Sequence, residues 1–221
     1  MSRSDEQIKK LVVDQLYWDA RVDAADVQVQ VLQGLVGLSG SVPTYTARMA
    51  AADDAWSVLG VRGVDNLLTV RFPSTVSVPN DDQLRSQVLD TLRWKPRLDA
   101  TKIDAQVNDG VVTLSGTVDA YWKRAQAEET VGGIHGVRSI VNELTVVPTA
   151  GVVDEVIAED VEKALDRNLL VDPDAITVEV ENGTVRLSGT VPTNATRRAA
   201  TSAAARTGGV RDVVDDLLLA A

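Results

Sequence analysis

The stretch Gly110-Val-Val-Thr-Leu-Ser-Gly116-Thr-Val118 decides the fold, because two other stretches of the chain repeat its pattern. Residues 34–42 match it at an offset of 76 residues, and residues 183–191 match it at an offset of 73. The same offsets relate the Gly-Val-Arg triplets at 60–62, 136–138 and 209–211. Motifs that recur together at the same offsets indicate that one structural unit occurs several times. The sequence therefore predicts three units, at residues 5–70, 81–146 and 154–219.

Each unit shows the same order of hydrophobic patterns. Apolar residues four positions apart, such as Ile8, Val12 and Leu16, predict a helix with one buried face. Two runs of alternating apolar residues with a Gly-containing turn between them predict a β-hairpin. An Ala-rich stretch then predicts a second helix, and a third strand is expected after Gly-Val-Arg. The predicted fold class is α+β, with three tandem αββαβ two-layer sandwiches, each a three-stranded sheet with two helices on one face.

Two sets of residues recur inside the predicted elements of all three units. One glycine lies within the second strand of each unit, and we expect it to be a packing glycine beneath a helix: Gly40, Gly116 and Gly189. One arginine lies in each predicted second helix: Arg48, Arg124 and Arg197. We expect each arginine to pair with an acid of the first helix of its unit.

Composition excludes most catalytic chemistry. The 221 residues contain no Cys and a single histidine, His135, which removes thiolate chemistry and multi-histidine metal sites. Adjacent acids such as Asp53 and Asp54 do not recur in all units, so we interpret them as a solvated face. The net charge of −10 at pH 7 repels nucleic acid. We predict that the protein is not an enzyme and has no catalytic residue, metal site, cofactor, nucleic-acid partner or transmembrane segment.

The hairpin, the Leu-Ser-Gly-Thr-Val motif, the Ala-rich helix and the closing Gly-Val-Arg strand resemble the BON domain. The resemblance covers all three units and is strongest in the second, since the first has Gly37 where the others have Thr113 and Arg186. It implies a non-enzymatic binding or scaffolding module, often associated with envelope stress and in some members with phospholipid. Such proteins are commonly periplasmic or outer-membrane lipoproteins, but residues 1–7 contain no apolar signal core. We expect a cytoplasmic protein if Met1 is the native start, and a periplasmic one if a signal has been removed.

Aromatic and basic residues form one candidate ligand-binding site. The end of the first helix and the start of the second should meet at one edge of each unit. In the second unit these places carry Arg93, Trp94, Lys95 and Arg97, and Tyr121, Trp122, Lys123 and Arg124. Aromatic rings with cations beside a helix N-terminus suit an anionic phospholipid headgroup. In the alternative interpretation, Trp18 and Trp94 cap the core or lie between units, and the chain is a scaffold that binds protein partners without lipid contact.

Overall fold

A computed structural model of the chain describes residues 3–149 and 151–220. The first unit contains α1 (Asp5–Trp18), β1 (Val27–Leu32), β2 (Leu35–Val42), α2 (Tyr45–Ser57) and β3 (Gly63–Val70). The second contains α3 (Asp81–Arg93), β4 (Ile103–Asn108), β5 (Val111–Val118), α4 (Tyr121–Gly132), β6 (Ser139–Asn142) and β7 (Thr145–Val146). The third contains α5 (Asp154–Asp166), β8 (Ile176–Glu181), β9 (Thr184–Val191), α6 (Asn194–Ala205) and β10 (Asp212–Leu219). The predicted α+β class with repeated αββαβ units is confirmed.

The second strand of each unit lies at the centre of its sheet. It pairs antiparallel with the first strand, as the hairpin pattern predicts, and parallel with the third. In the second unit the third strand is divided into β6 and β7. The backbone N–H of Glu143, between the two pieces, donates to the Leu114 carbonyl at 2.8 Å. The chain therefore stays beside β5 across the division.

Each unit encloses its own hydrophobic core between its helices and its sheet. The predicted helix faces are buried, and Ile8, Val12 and Leu16 of α1 are 0–2% exposed. A leucine of the second strand, such as Leu114, is 0% exposed in every unit. Burial of such a side chain contributes about 1.5–3 kcal/mol. The alternation in the sequence therefore identified the buried face of the sheet correctly.

An aspartate at the start of the first helix holds the hairpin turn of each unit. In the second unit the carboxylate of Asp81 accepts hydrogen bonds from the backbone N–H groups of Asp109 and Gly110, at 2.8 and 3.0 Å. Both turn residues have positive φ, 49° and 74°, as a two-residue type I′ turn requires. Asp5 and Asp154 make the same pair of bonds in the other units. This contact fixes the helix against the hairpin.

The recurring strand glycines do not lie beneath a helix, so that prediction was wrong. Gly116 has φ of 114°, and a Cβ there would lie 2.0 Å from the carbonyl oxygen of Lys102. Gly40 and Gly189 meet an equivalent carbonyl at 1.9 and 2.1 Å. The requirement is a close approach between two backbones at the start of the hairpin, which only glycine permits.

The second helix of each unit begins against the next unit. Tyr45, the first residue of α2, packs into the core of the second unit, and its hydroxyl lies 3.5 Å from the Glu128 carboxylate. The Thr46 hydroxyl donates to the Gly132 carbonyl at 3.2 Å. Tyr121, at the equivalent position of α4, packs against the core of the third unit. The same element thus forms both junctions.

The third unit returns to the first, so that the contacts close into a ring. Helix α6 packs on α2, where the Arg198 guanidinium pairs with the Asp53 carboxylate at 2.7 Å. The Arg197 guanidinium lies 5.8 Å from the centre of the Trp56 ring. Head-to-tail contacts of this kind close when the rotation between neighbours returns to the first member. The contacts therefore run from the first unit to the second, from the second to the third, and from the third back to the first.

Candidate functional site

The loop after α3 exposes the first half of the predicted site. Trp94 caps the end of the helix and is 85% exposed. Arg93, Lys95 and Arg97 are also exposed, and Arg93 pairs with Asp90 at 3.0 Å. Trp18, the equivalent of Trp94 in the first unit, is 80% exposed. The interpretation of Trp18 and Trp94 as core caps or contacts between units was therefore wrong.

The start of α4 carries the second half of the predicted site. Trp122 and Lys123 are half-buried, with the Lys123 ammonium 5.6 Å from the centre of the Trp122 ring and 2.6 Å from the Asp119 carboxylate. The pKa of the Asp99 carboxyl, at the end of the loop after α3, is lowered mainly by hydrogen bonds from Thr101 and further by the charges of Lys102 and Lys123. The positive charge of Lys123 thus acts on the end of that loop.

Two of the predicted residues lie at the junction with the third unit. Burial raises the pKa of Tyr121, and the charge of Asp212 raises it further. The Arg124 guanidinium donates to the Asn142 carbonyl at 3.4 Å and lies 3.9 Å from the Asp212 carboxylate. Tyr121 and Arg124 are therefore engaged by protein groups, whereas Arg93, Trp94, Lys95 and Arg97 face solvent.

The recurring arginines of the second helices contact the third strand of their own units. The side-chain amide of Asn142 donates to the Arg124 carbonyl at 3.0 Å, which completes a reciprocal pair. Arg48 and Asn66 form the same pair in the first unit. In the third unit the Arg197 guanidinium binds the Asp215 carboxylate at 2.8 Å. The expected pairing with an acid of the first helix was wrong, because the second helix turns this face toward the sheet edge.

The loops equivalent to the Trp94 loop also expose large apolar side chains. In the first unit Tyr17 and Trp18 are 74% and 80% exposed and stack edge to face, with ring centres 5.3 Å apart. In the third unit Leu169 and Leu170 are 104% and 62% exposed. Each unit thus presents exposed apolar side chains, its apolar tip, at or just after the end of its first helix.

A buried carboxyl in the first unit was missed by sequence reasoning. Asp54 is 5% exposed, so its interpretation as part of a solvated face was wrong. Burial raises the pKa of Asp54 to about 6, and the neighbouring negative charge of Asp19 adds to the effect. The pKa of Asp19 is lowered to about 2 by hydrogen bonds from Arg21. The first unit therefore holds a carboxyl pair whose members are shifted in opposite directions.

A groove of about 1110 Å³ lies between the first and third units. Its lining includes Ile8, Trp56, Leu59 and Arg62 from the first unit, and Asn194 and Leu219 from the third. Sequence reasoning missed this site. A signal was present, because Asn194 stands where the other second helices begin with a tyrosine.

Residues 3–149 and 151–220 contain neither a cluster typical of a metal site nor a helix typical of a membrane span. In these ranges no group of three or more His, Cys, Asp and Glu side chains has the arrangement of a metal site. None of the helices described there is both long and apolar enough to cross a membrane.

Two known proteins are similar to parts or all of this chain. Osmotically inducible protein Y of Escherichia coli K12 is 32% identical over 126 residues, which are 56% of this chain and 63% of that protein. The match thus spans less than two thirds of the relative. Two structures of CdsD, a structural protein of the type III secretion system of Chlamydia trachomatis, align with 97% and 100% of this chain and with 91% and 100% of their own. Their sequence identity is 14% and their TM-score is 0.27, which is too low to support an argument.

The family comparison covers all three units. The pattern of the BON domain matches residues 4–71, 80–148 and 153–221. These matches include nearly every residue of the chain and coincide with the three αββαβ units of the structure. The chain therefore belongs to the BON domain family.

Proposed function

We propose that this BON-domain protein is a non-enzymatic, stress-associated binding protein whose second unit contacts anionic phospholipid headgroups. Trp94 carries the proposal, because an indole that is 85% exposed and flanked by Arg93, Lys95 and Arg97 has the chemistry of a headgroup contact. The similarity to an osmotically inducible protein supports the association with osmotic stress. We take the loop 93–97, with Trp122 and Lys123 at the start of α4, as the contact surface.

The charges of this surface set the strength of the contact. Lys95 and Arg97 have no carboxylate within 4.0 Å in the part of the chain that the structure describes. Each cation near an anionic bilayer contributes about 1 kcal/mol, and salt screens the attraction. The net charge of −10 opposes the approach of the whole protein. We expect micromolar or weaker binding that falls as salt rises.

The ring of units supports a contact at more than one point. Each unit carries an exposed apolar side chain at or just after the end of its first helix. These side chains are Trp18, Trp94 and Leu169. Simultaneous insertion of these tips strengthens a weak contact by raising the effective concentration at the surface. Anionic headgroups are present on the periplasmic and on the cytoplasmic side of a membrane. The proposed contact is therefore possible in the periplasm, where many members of the family reside, and in the cytoplasm.

Flotation with phosphatidylglycerol vesicles, at low and high salt, tests the proposal. The triple variant Trp94→Ala, Lys95→Glu, Arg97→Glu should float less than the wild type at low salt. The double variant Lys9→Glu, Lys10→Glu changes the same number of charges on exposed residues of α1 and should keep most of the binding. Phosphatidylcholine vesicles should recover little protein. Equal recovery of the wild type and the triple variant, or no recovery at low salt, would contradict the proposal.

A protein-interaction scaffold is the second candidate function. The observation that favours it is the groove between the first and third units, which is lined by apolar side chains and arginines. The two functions use different surfaces of the molecule. Variants of the loop 93–97 and variants of the groove therefore test them separately.

A further inference from the structure

The linker between the first two units shows how a groove of this fold accepts an extended segment. Phe72 packs against the core of the second unit, with the Arg138 guanidinium 5.6 Å from the centre of its ring. The ring of His135 stacks edge to face on Phe72 at 5.4 Å, and its Nε2 atom lies 3.1 Å from the Ser77 carbonyl. Residues 72–77 thus lie over the Gly-Val-Arg corner of the second unit.

The third unit receives its preceding linker at the same corner. Val152 packs against the core of that unit, and its Cβ lies 3.0 Å from the point that a Cβ at Gly209 would occupy. Gly209 is the equivalent of Gly136 in the second unit, where Pro79 lies 2.8 Å from the same point. A preceding segment therefore covers this corner in both units.

In the part of the chain that the structure describes, the same corner of the first unit has a groove over it. Arg62 makes the same backbone contact as Arg138, since its N–H donates to the Gly34 carbonyl at 2.8 Å. The Cγ atom of Arg62 lies 3.2 Å from the position that a Cβ atom on Gly34 would occupy. Leu59, which replaces His135, is 60% exposed. Arg3 lies near Gly60 as Pro79 lies near Gly136. By the repeat offset, the path of residues 72–77 over the second unit corresponds to this groove over the described part of the first unit.

The groove is continuous with the interface between the third and first units. Leu219 of β10 lines it and is the repeat equivalent of Val70, which packs into the second unit beside Phe72. At the position of Phe72 the third repeat carries Ala221, which lies outside the described residues and has only a methyl side chain.

The charges at the groove favour an aromatic or acidic occupant. The Asp5 carboxylate accepts the N–H groups of Gln33 and Gly34, and the Asp53 carboxylate pairs with Arg198. Arg62 has no carboxylate within 4.0 Å among residues 3–149 and 151–220. Its guanidinium is therefore available to an aromatic face, as that of Arg138 is to Phe72.

We propose that the groove of the first unit is a docking site for an extended segment of a partner protein, with an aromatic side chain stacked on Arg62 beside Leu59. The segment follows the path that residues 72–77 take across the second unit. Its backbone runs toward Trp56 and the end of β10, so the site is shared by the first and third units. This surface is distinct from the loop 93–97.

A peptide with the sequence of residues 71–77, Arg-Phe-Pro-Ser-Thr-Val-Ser, is the probe. In a titration of ¹⁵N-labelled full-length protein, we expect shifts at Gly60, Arg62 and the Trp56 indole, with a Kd on the order of 0.1–1 mM. Replacement of the peptide Phe by Ala should weaken binding by about tenfold. The protein variant Arg62→Ala should have the same effect, whereas Arg211→Ala, at the equivalent position of the third unit, should not.

Three results would overturn the proposal. The first is an absence of shifts at several millimolar peptide. The second is a set of shifts that spreads over all units or persists in Arg62→Ala. The third is movement of the same signals with protein concentration alone, which would assign the groove to a second copy of the chain. The triple variant of the loop 93–97 should bind the peptide normally, which separates this test from that of lipid binding.

Discussion

The ring of Tyr45 lies against Gly132 of the following unit, with a ring carbon 2.8 Å from the point that a Cβ at position 132 would occupy. The large side chain belongs to the first unit, and the residue without a side chain belongs to the second. Where the third unit meets the first, the sizes are reversed, since Asn194 replaces the tyrosine and Trp56 replaces the glycine. The two junctions therefore differ in which position carries the large side chain.

The Tyr45 contact can be tested by adding a single methyl group. Gly132→Ala should displace the buried ring and destabilise the protein by about 1–3 kcal/mol, as overpacking of a core does. Urea unfolding measures the loss of stability. Faster proteolysis of residues 71–80 in Gly132→Ala would show that the junction between the two units is destabilised. Gly133→Ala is the matched control, because a Cβ there meets its nearest atom at an ordinary 3.7 Å. Equal stability of the two variants would contradict the contact.

Core truncation tests the strand register. Leu114→Ala removes a side chain that is 0% exposed, so the free energy of unfolding should fall by about 2–5 kcal/mol. Ser115→Ala, on the opposite face of the strand, should change it by less than about 1 kcal/mol. Thermal and urea unfolding measure both variants. A larger loss for Ser115→Ala would mean that the register is wrong.

Replacement of a recurring strand glycine tests the close backbone approach. Gly116→Ala would place a methyl group 2.0 Å from the Lys102 carbonyl oxygen and force alanine to a φ of 114°. We expect a loss of about 3 kcal/mol or more, measured by urea unfolding. Gly37→Ala, in the second strand of the first unit, meets its nearest atom at 4.0 Å and should be tolerated. A mild effect at Gly116 would show that the strands can separate there.

Asp54 makes stability depend on pH in a defined direction. Its pKa is about 6 in the folded protein and 3.8 as a free side chain, so the folded state binds more protons between these values. Stability contributed by this group is present below pH 4 and is lost as pH rises to about 6. The free energy of unfolding of Asp54→Asn should therefore be about 1–2 kcal/mol higher than that of the wild type above pH 7. The two values should be equal near pH 4.

Unfolding curves from pH 4 to 8 measure this difference. Asp65→Asn, which removes an exposed carboxylate from the same unit, is the matched control. The lowered pKa of Asp19 acts separately, because its contribution is lost only as pH falls from 3.8 to about 2. A pH-independent difference for Asp54→Asn would contradict the burial of this carboxyl.

Local patterns predicted the interior of each unit, and contacts between units escaped them. Alternation and helical spacing report which face of an element is buried, so Leu114 and the face of α1 were identified correctly. Asp54 looked like surface because its neighbour Asp53 is acidic and half-exposed, whereas its own side chain turns toward the end of α1. Tyr121 and Arg124 were assigned to one edge because sequence cannot show that the next unit covers part of that edge.

The four tryptophans provide the most direct test of the proposed contact with lipid. Each indole gives one NMR signal, and a gadolinium lipid in phosphatidylglycerol nanodiscs broadens those that approach the bilayer. We predict the strongest broadening at Trp94, clear broadening at Trp18, and little at Trp56, which lies half-buried at the groove between the first and third units. Full intensity at Trp94, or equal broadening of all four signals, would contradict the account.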